Sequence, residues 1–543
     1  MASNEYRSEF FEIDVSCEAC HGPGSVHVEL AEGRSLFWDR RLGYGLTNTL
    51  KGASHTRQIE TCAPCHSRRA AIHPGYYAGE TFMSHYEPQL LHEGIYHADG
   101  QILDEVYVYG SFLQSKMYHQ GVRCTDCHDP HSLKLKFEGN RLCAQCHQPG
   151  KYDSPSHHHH VDEAATQCVS CHMPSRVYMG IDDRRDHSLR VPRPDLSVAI
   201  GTPNACNDCH DKPEEDAAWA AEAVREWYGE KRADDPHWGP AIAAAQRSEP
   251  SGEEMLREVL GRRELPDIVR ATAIELLANY ATETSERERR AALKHDNPMV
   301  RAAAVRSLPQ PTLAAQPNAG DRDNRLAEVV RESQSKFVRS LEPLLRDSIL
   351  SVRLAAASRL VSVAGALADA DYRDALLRAV DEYRAAQRIM LDRVESHLNL
   401  AILSANLGEP QDAIESLRTA IRIAPYRTDP RELLAQILTA TGGDPQEIRR
   451  LREEEIENLR RDSRLLRGVA GPHYRCGLLL YLLGREDEAR EELKQACMLG
   501  PHEYHHWLAF SQLCVKQRRW DEAELALTRM EQLQPGSPDV RNI

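Results

Sequence analysis

No stretch of this 543-residue chain approaches 18 consecutive apolar residues, so no membrane-spanning helix is expected. Runs of one charge are also missing. The chain carries 67 basic against 82 acidic residues, a net −15, with no Lys/Arg-rich segment, which argues against nucleic acid as a partner. The opening residues, Met1-Ala2-Ser3-Asn4-Glu5-Tyr6-Arg7, have no apolar core and are not a secretory signal. Cysteine is nearly absent after residue 210, where only Cys476, Cys497 and Cys514 occur. These three fall on expected helices and read as small apolar packing residues.

The first 210 residues are the opposite case, with 12 of the 15 cysteines and 19 of the 26 histidines. Six times the chain reads Cys-x-x-Cys-His: Cys17/Cys20/His21, Cys62/Cys65/His66, Cys124/Cys127/His128, Cys143/Cys146/His147, Cys168/Cys171/His172 and Cys206/Cys209/His210. All 12 cysteines are used. The motif suits covalent haem attachment: two thiols add to the two vinyl groups, and the next residue places an imidazole under the iron. Two intervening residues let one turn of chain span the two vinyls. Zinc gives no reason for a His at that position six times in six. Thioredoxin-like pairs occur one per βαβ unit, and disulfides across so few residues close loops too short to stabilise much. Six covalently bound haem c groups are therefore expected. At 35 residues per motif (210/6) the segment cannot build a large protein core, so the haems must supply apolar bulk. Such tight spacing puts the porphyrins close together, as a path for electrons.

Thirteen further histidines lie in this region, enough for a second imidazole at every iron. His27 and His131 follow a motif after a Pro-containing turn, His119 shortly precedes Cys124, and His187 has the acidic neighbour Asp186. These four are the expected distal ligands. At least one of His157, His158, His159 and His160 is expected to join them. Met83 and Met117 are the alternative ligand type. His237, His295, His397, His473, His502, His505 and His506 have no accompanying motif and read as surface or helix-packing residues.

The expected fold class is mainly α: a haem-packed helix-and-loop domain over 1–230, HEAT-like helical repeats over 231–385, and tetratricopeptide repeats over 386–543. A joining helix is expected from about Glu214 to Tyr228, with Trp219, Ala223 and Trp227 on one face. Val269-Arg270, Val300-Arg301 and Val352-Arg353 each open an Ala/Leu-rich helix, and a loop is expected from Gln310 to Arg325. Gly408, Ala413, Leu417, Ala420 and Pro425 recur at the same offsets as Gly484, Ala489, Leu493, Ala496 and Pro501. Trp520, Ala523, Leu527 and Pro535 form a looser copy, and a degenerate one is expected around Gly443.

The strings Cys17-Glu18-Ala19-Cys20-His21-Gly22-Pro23-Gly24 with His27, Cys62-Ala63-Pro64-Cys65-His66-Ser67-Arg68-Arg69, and Cys171-His172-Met173-Pro174 resemble multihaem cytochromes. The lineage is that of hydroxylamine oxidoreductase and the tetrahaem electron acceptors. Within it, the chain is similar to bacterial multihaem cytochromes fused to C-terminal tetratricopeptide repeats. That resemblance covers about residues 10–230, and implies parallel and perpendicular haem pairs working outside the cytoplasm. Relatives often carry a signal sequence and further haem motifs upstream. A preceding segment is accordingly expected here, with His55, His73, His85, His92 and His97 available to its haems. The leading functional expectation is electron transfer through mostly bis-His haems in a periplasmic or other extracytoplasmic compartment, with redox partner proteins docked on the repeats. Two alternatives stay open. One is a redox enzyme acting on a small nitrogen or sulfur compound at a haem with an open sixth position; the other is a haem-bearing scaffold.

Overall fold

The structure, a computed structural model, describes residues 15–33, 40–50, 54–230, 235–311, 321–366 and 369–542. The N-terminal reading on Met1 to Arg7 lies outside them.

Most motifs sit on about one turn of helix, which brings residues three apart to the same side of the backbone. Cys17–His21, Cys124–Cys127 and Cys168–His172 are such turns. Cys62, Cys65 and His66 end the longer helix His55–His66, which Ser54 caps by accepting from the Arg57 N–H at 3.3 Å. Cys206 to Cys209 form a turn. The fourth motif is a turn of 3-10 type rather than α-helix. Cys143 lies in the 3-10 helix Gly139–Gln145, but Cys146 falls just outside it, as the residue that ends it at φ −124°. Three antiparallel ladders tie the intervening loops: Arg69–Ala71 with Tyr86–Pro88, His128–Asp129 with Lys134–Leu135, and Ser175–Tyr178 with Asp182–Arg185. Strands this short carry no readable alternation, so the helix-and-loop expectation passes over them.

The joining helix is Ala217–Tyr228. It starts later than expected because Asp216 caps it, accepting from the Trp219 N–H at 2.9 Å. Helices follow in succession: Gly239–Gln246 packed with Gly252–Leu260, Asp267–Leu276 with Glu283–Ala292, then Pro298–Ser307 packed between Asp267–Leu276 and Leu350–Leu360, then Asp321–Leu341, and Leu350–Leu360 with Ala370–Arg388. The recurring Arg has one job in all three copies, closing the turn before its own helix. Arg270 donates to the Leu260 and Arg262 carbonyls, Arg301 to those of His295 and Asp296, and Arg353 to that of Asp347. Arg301 also grips the Asp347 carboxylate at 2.8 and 2.9 Å, linking one copy to the next. Of the loop expected from Gln310 to Arg325, residues 312–320 lie outside the described residues. Its last part is a correction: helix begins at Asp321, since the run Asp321 to Leu326 has no Gly or Pro to stop it.

The core does not respect the composition change near residue 211. A continuous apolar cluster joins Ile59, Phe82, Leu90, Tyr96 and Tyr109 to Ile242, Val269, Val300, Leu360 and Leu403. Polar contacts reinforce it. Leu91 N–H donates to Thr272 Oγ1 at 3.2 Å, His92 meets Glu275 at 2.8 Å, and Arg306 pairs with both Glu87 and Glu275. Residues 59–113 and the first helix pairs thus bury their apolar faces against each other.

Further pairs complete the chain: Val394–Asn406 with Pro410–Ile423, Pro430–Ala440 with Pro445–Leu465, Ala470–Leu482 with Glu486–Leu499, and Tyr504–Lys516 with Trp520–Leu533. The second fills the gap where the degenerate copy is expected. Gly408 and Gly484 make the inter-helix turns at φ +75° and +76°, where a side chain would be strained. The recurring Ala413, Leu417, Ala420, Ala489, Leu493 and Ala496 are all buried, as are Cys476, Cys497 and Cys514. The described part of the chain is mainly α, at 62% helix. Among the described residues no helix is long and apolar enough to cross a membrane.

Candidate haem-attachment sites

Successive motif segments are tied together in chain order. Asn48 Nδ2 donates to the Cys20 carbonyl at 3.1 Å and to Thr61 Oγ1 at 3.0 Å, joining the first segment to the second. Thr125 Oγ1 donates to Gln58 Oε1 at 2.9 Å, joining the second to the third. Gln145 Nε2 reaches the Asp126 carbonyl at 3.5 Å, and the Cys168 N–H donates to Asn140 Oδ1 at 2.8 Å.

The thiols follow the same order. Burial, then the charges of Cys62 and Cys65, push the Cys20 thiol up. Cys62 lies within hydrogen-bonding reach of Cys124, and Cys143 of Cys168, so that in each pair one thiol is raised and the other lowered. Burial, then Asp126 and Cys146, raises Cys127, which places the fourth motif's second thiol beside the third motif. Burial, then the neighbouring Cys171, raises Cys206 to about 11. The two thiol contacts strong enough for a hydrogen bond, Cys62 with Cys124 and Cys143 with Cys168, join different motifs, unlike a Cys-x-x-Cys redox pair.

Cys146, the second cysteine of the fourth motif, is placed like Cys17, Cys65 and Cys209. Its thiol is exposed, whereas that of Cys143 is half-buried against the fifth motif's Cys168. The tight 3-10 ladder ends at Gln145, and the Cys146 and His147 N–H groups both turn back onto the Cys143 carbonyl, at 3.2 and 3.0 Å. That turn keeps the three motif residues together at the end of the element. Cys17, Cys65 and Cys209 are exposed as well, each at the outer end of its motif turn or helix.

The imidazoles are arranged two by two. His21 faces His131 with ring centres 6.3 Å apart and planes at 18°, His128 faces His187 at 6.3 Å and 23°, and His172 faces His157 at 6.1 Å and 13°. His210 faces His160 at 6.1 Å, tilted by 51°. Two metal–nitrogen bonds of about 2.0 Å, plus about 1.1 Å from each nitrogen to its ring centre, span about 6.2 Å. The four spacings therefore fit one metal atom between each pair. Zinc fits poorly, because a closed site needs four converging donors and no group of even three occurs among the described residues.

In five of these eight rings the outer nitrogen is held as a ligating imidazole requires. His21 Nδ1 meets the Asn48 carbonyl at 2.9 Å, His172 Nδ1 that of Arg190 at 2.8 Å, and His187 Nδ1 that of Arg185 at 2.9 Å. His160 Nδ1 bonds the His158 carbonyl, and His210 Nδ1 lies 3.4 Å from the Glu215 carboxylate. A carbonyl only accepts, so Nδ1 carries the proton and Nε2 is left with its lone pair. Desolvation by the neighbouring chain lowers the His66, His128 and His187 rings from the ordinary histidine value. From Lys116 to Val177 no residue is buried. A segment with no protein core of its own, carrying three motifs, suits an apolar planar group as its packing partner.

Of the expected distal residues, His131 and His187 stand opposite motif histidines. His131 faces the first motif's His21, although in sequence it follows the third motif. His27 keeps Nδ1 on the Tyr44 carbonyl at 2.7 Å. His119 lies against Tyr118 and near His55, and the structure does not bring it opposite a motif histidine. The run 157–160 supplies two facing rings, His157 and His160. His159 instead stacks on Trp227 at 4.3 Å and 11°. His147 has Tyr152 edge-on at 5.5 Å, and Tyr152 in turn meets His157 at 5.4 Å. Of the spare histidines, His73 packs edge-on against His85 at 5.0 Å, and His92 is held by Glu275. The tryptophans of the joining helix belong to the site as well. Trp219 packs on His210 at 4.7 Å, and its face with Trp227 was legible from the spacing of the two residues.

A family model described as a doubled CXXCH motif matches residues 117–152, and a tetratricopeptide-repeat model matches residues 394–427. A search of curated proteins finds no match. Among solved structures the chain is similar to TTC0263, a thermophilic TPR protein of Thermus thermophilus, at 24% identity over 35% of this chain and 95% of that one, TM-score 0.26. It is similar also to YrrB, a TPR protein with an unusual peptide-binding site, at 16% identity over 39% and 97%, TM-score 0.25. A third is MamA 41-end from Desulfovibrio magneticus RS-1, at 16% identity over 34% and 97%, TM-score 0.24. The doubled motif marks covalent haem c attachment, and the repeat marks a protein-interaction module.

Proposed function

We propose that this chain is an extracytoplasmic electron-transfer cytochrome carrying six haem c groups, four of them between the histidine pairs 21/131, 128/187, 157/172 and 160/210. The observation that carries the reading is the ring spacing of 6.1–6.3 Å in all four pairs. The twelve motif cysteines would anchor the groups, and each motif histidine would bind the iron of its own haem. Bound haem supplies an iron that accepts and returns single electrons. The protein's part would be to hold the iron between two imidazoles at the four paired sites, which would exclude substrate there, and to fix His21, His160, His172 and His187 by their Nδ1 hydrogen bonds. The chain-ordered contacts between motif segments support a single file of cofactors, in keeping with the resemblance to the hydroxylamine oxidoreductase lineage. Haem attachment to this motif takes place outside the cytoplasm, which supports a periplasmic setting. The stacked helices over 239–388 are read as HEAT-like, and the tetratricopeptide repeats as a surface for partner proteins.

A second reading, a redox enzyme on a small nitrogen or sulfur compound, is favoured by one contact: the ring edge-on to His147 belongs to Tyr152, a phenol. Redox titration followed by absorption and EPR tests both. Six low-spin haems without turnover of hydroxylamine, nitrite or tetrathionate is the result expected. A substantial high-spin ferric population with turnover would replace the first reading by the second.

A further inference from the structure

The file of motifs has an end, and its surface is unlike the rest. Cys206/Cys209/His210 is the last motif, with the fifth motif's Cys171 beside it. The joining helix Ala217–Tyr228 lies over this end, its Trp219 against His210 and Trp227 against His159, while Trp219, Trp227 and Tyr228 keep 38%, 39% and 41% of their surface in solvent. Aromatics left half in water at a redox terminus suit a protein contact. Their surroundings say which kind. From Asp208 to Glu230 the chain has eight carboxylates against two bases. Both bases are already paired, Lys212 with Glu215 at 3.2 Å and Arg225 with Glu222 at 2.6 Å. Asp162 and Glu163 follow closely on His160, whose ring lies 6.2 Å from that of Trp227, and add to the acidic surroundings. By contrast, Lys134, Lys136, Arg141 and Lys151 are interspersed with the acids around the third and fourth motifs.

We infer that the exposed aromatic face of helix Ala217–Tyr228 and its acidic rim form the docking surface for a basic one-electron carrier protein, one presenting lysines around its own cofactor edge. The inference rests on the electron-transfer reading and moves the redox contact from the repeats to the end of the cofactor file. Complementary charge gathers and orients the partner, and the aromatics form the desolvated centre. One electron crosses per encounter, between this chain's reduced centres and the partner's oxidised one, or in reverse; no bond forms or breaks and no proton moves.

The test uses the full-length holoprotein, a small lysine-rich c-type cytochrome as probe, and stopped-flow rates over a salt series. The second-order rate should fall about tenfold or more from low salt to salt that shrinks the screening length to a few ångströms. The triple variant Glu163→Gln, Glu214→Gln, Glu226→Gln should slow the low-salt reaction about tenfold and match the parent at high salt. A control, Glu415→Gln with Glu457→Gln on the repeats, should leave the rate unchanged. A rate indifferent to salt and to the triple variant overturns the docking surface, as does a loss confined to the repeat variants. Reduction by dithionite is followed in the same samples. If the iron cycles normally while the triple variant has no effect, the docking surface falls and the electron-transfer reading stands; if the iron does not cycle, both fall.

Discussion

Replacing His131 by alanine isolates one axial ligand. The side chain is 83% exposed and its ring takes part in no core, so truncation leaves the fold untouched. The Asp129 carboxylate still accepts from the residue's backbone N–H at 3.1 Å, which keeps the turn in place. What is lost is the ring standing 6.3 Å from His21. His21 itself stays held by the Asn48 carbonyl at 2.9 Å. One haem in six should therefore pass from low to high spin, and integrated EPR should show about one sixth of the ferric iron in the high-spin signal. Its midpoint potential should rise by about 59 mV for every tenfold by which the lost imidazole preferred ferric over ferrous iron. Added imidazole should restore the low-spin spectrum. His27→Ala is the decisive companion, because His27 has an equally well-held Nδ1 and lies closer to the motif in sequence. The reasoning is refuted if His131→Ala stays fully low-spin while His27→Ala turns high-spin.

Further outcomes are expected elsewhere. His157→Ala and His160→Ala should each give one more high-spin haem, and the double variant two, by the same EPR integration; a run acting only as a solvated loop would give none. Arg306→Ala strands Glu87 and Glu275 between the haem-bearing part and the repeats. Its side chain is one-third exposed, so solvent screens part of the loss and a cost of about 2 kcal/mol is expected rather than the fully buried value of about 3–5. Because the two parts share one core, haem absorbance and helical dichroism over that region should melt together, and separate midpoints would contradict the shared core. Gly477→Ala places a Cβ 2.7 Å from Leu493 Cγ and should cost about 1–3 kcal/mol in urea titration, whereas Gly471→Ala meets open space and should cost nothing. Burial pushes His506 down to about 4, below the ordinary value of about 6.5. The unfolded chain then binds the extra proton between these limits, so stability is full above about pH 6.5 and falls, on the order of 3 kcal/mol, as pH drops toward 4. His506→Phe should flatten that slope.

The anchors were legible because chemistry forces two thiols and an imidazole into five consecutive residues. The repeats were legible because Gly408 and Gly484, or Val300-Arg301 and Val352-Arg353, must do the same job at each recurrence. Pairing was harder to read. The partner of His21 is supplied from the far side of two other motifs, and spacing along the chain says nothing about which rings converge. Nor does the shared spacing of the motifs reveal that the fourth sits on a 3-10 turn rather than α-helix. The shared core was hidden too: Leu90 and Phe82 look like loop residues in a Cys-rich segment, and only the face opposite them, on the helix carrying Val269 and Thr272, gives them a place to be buried. Asp216 moved the joining helix's start by a local hydrogen bond that composition could not weigh against Glu214.

The most direct measurement is thiol accounting on the denatured holoprotein. Alkylation under denaturing conditions, read by mass spectrometry together with the haem-to-protein ratio, should find three reactive thiols, Cys476, Cys497 and Cys514, and six haems that resist acid extraction. More than three reactive thiols, or haem or zinc released on denaturation, would contradict the account.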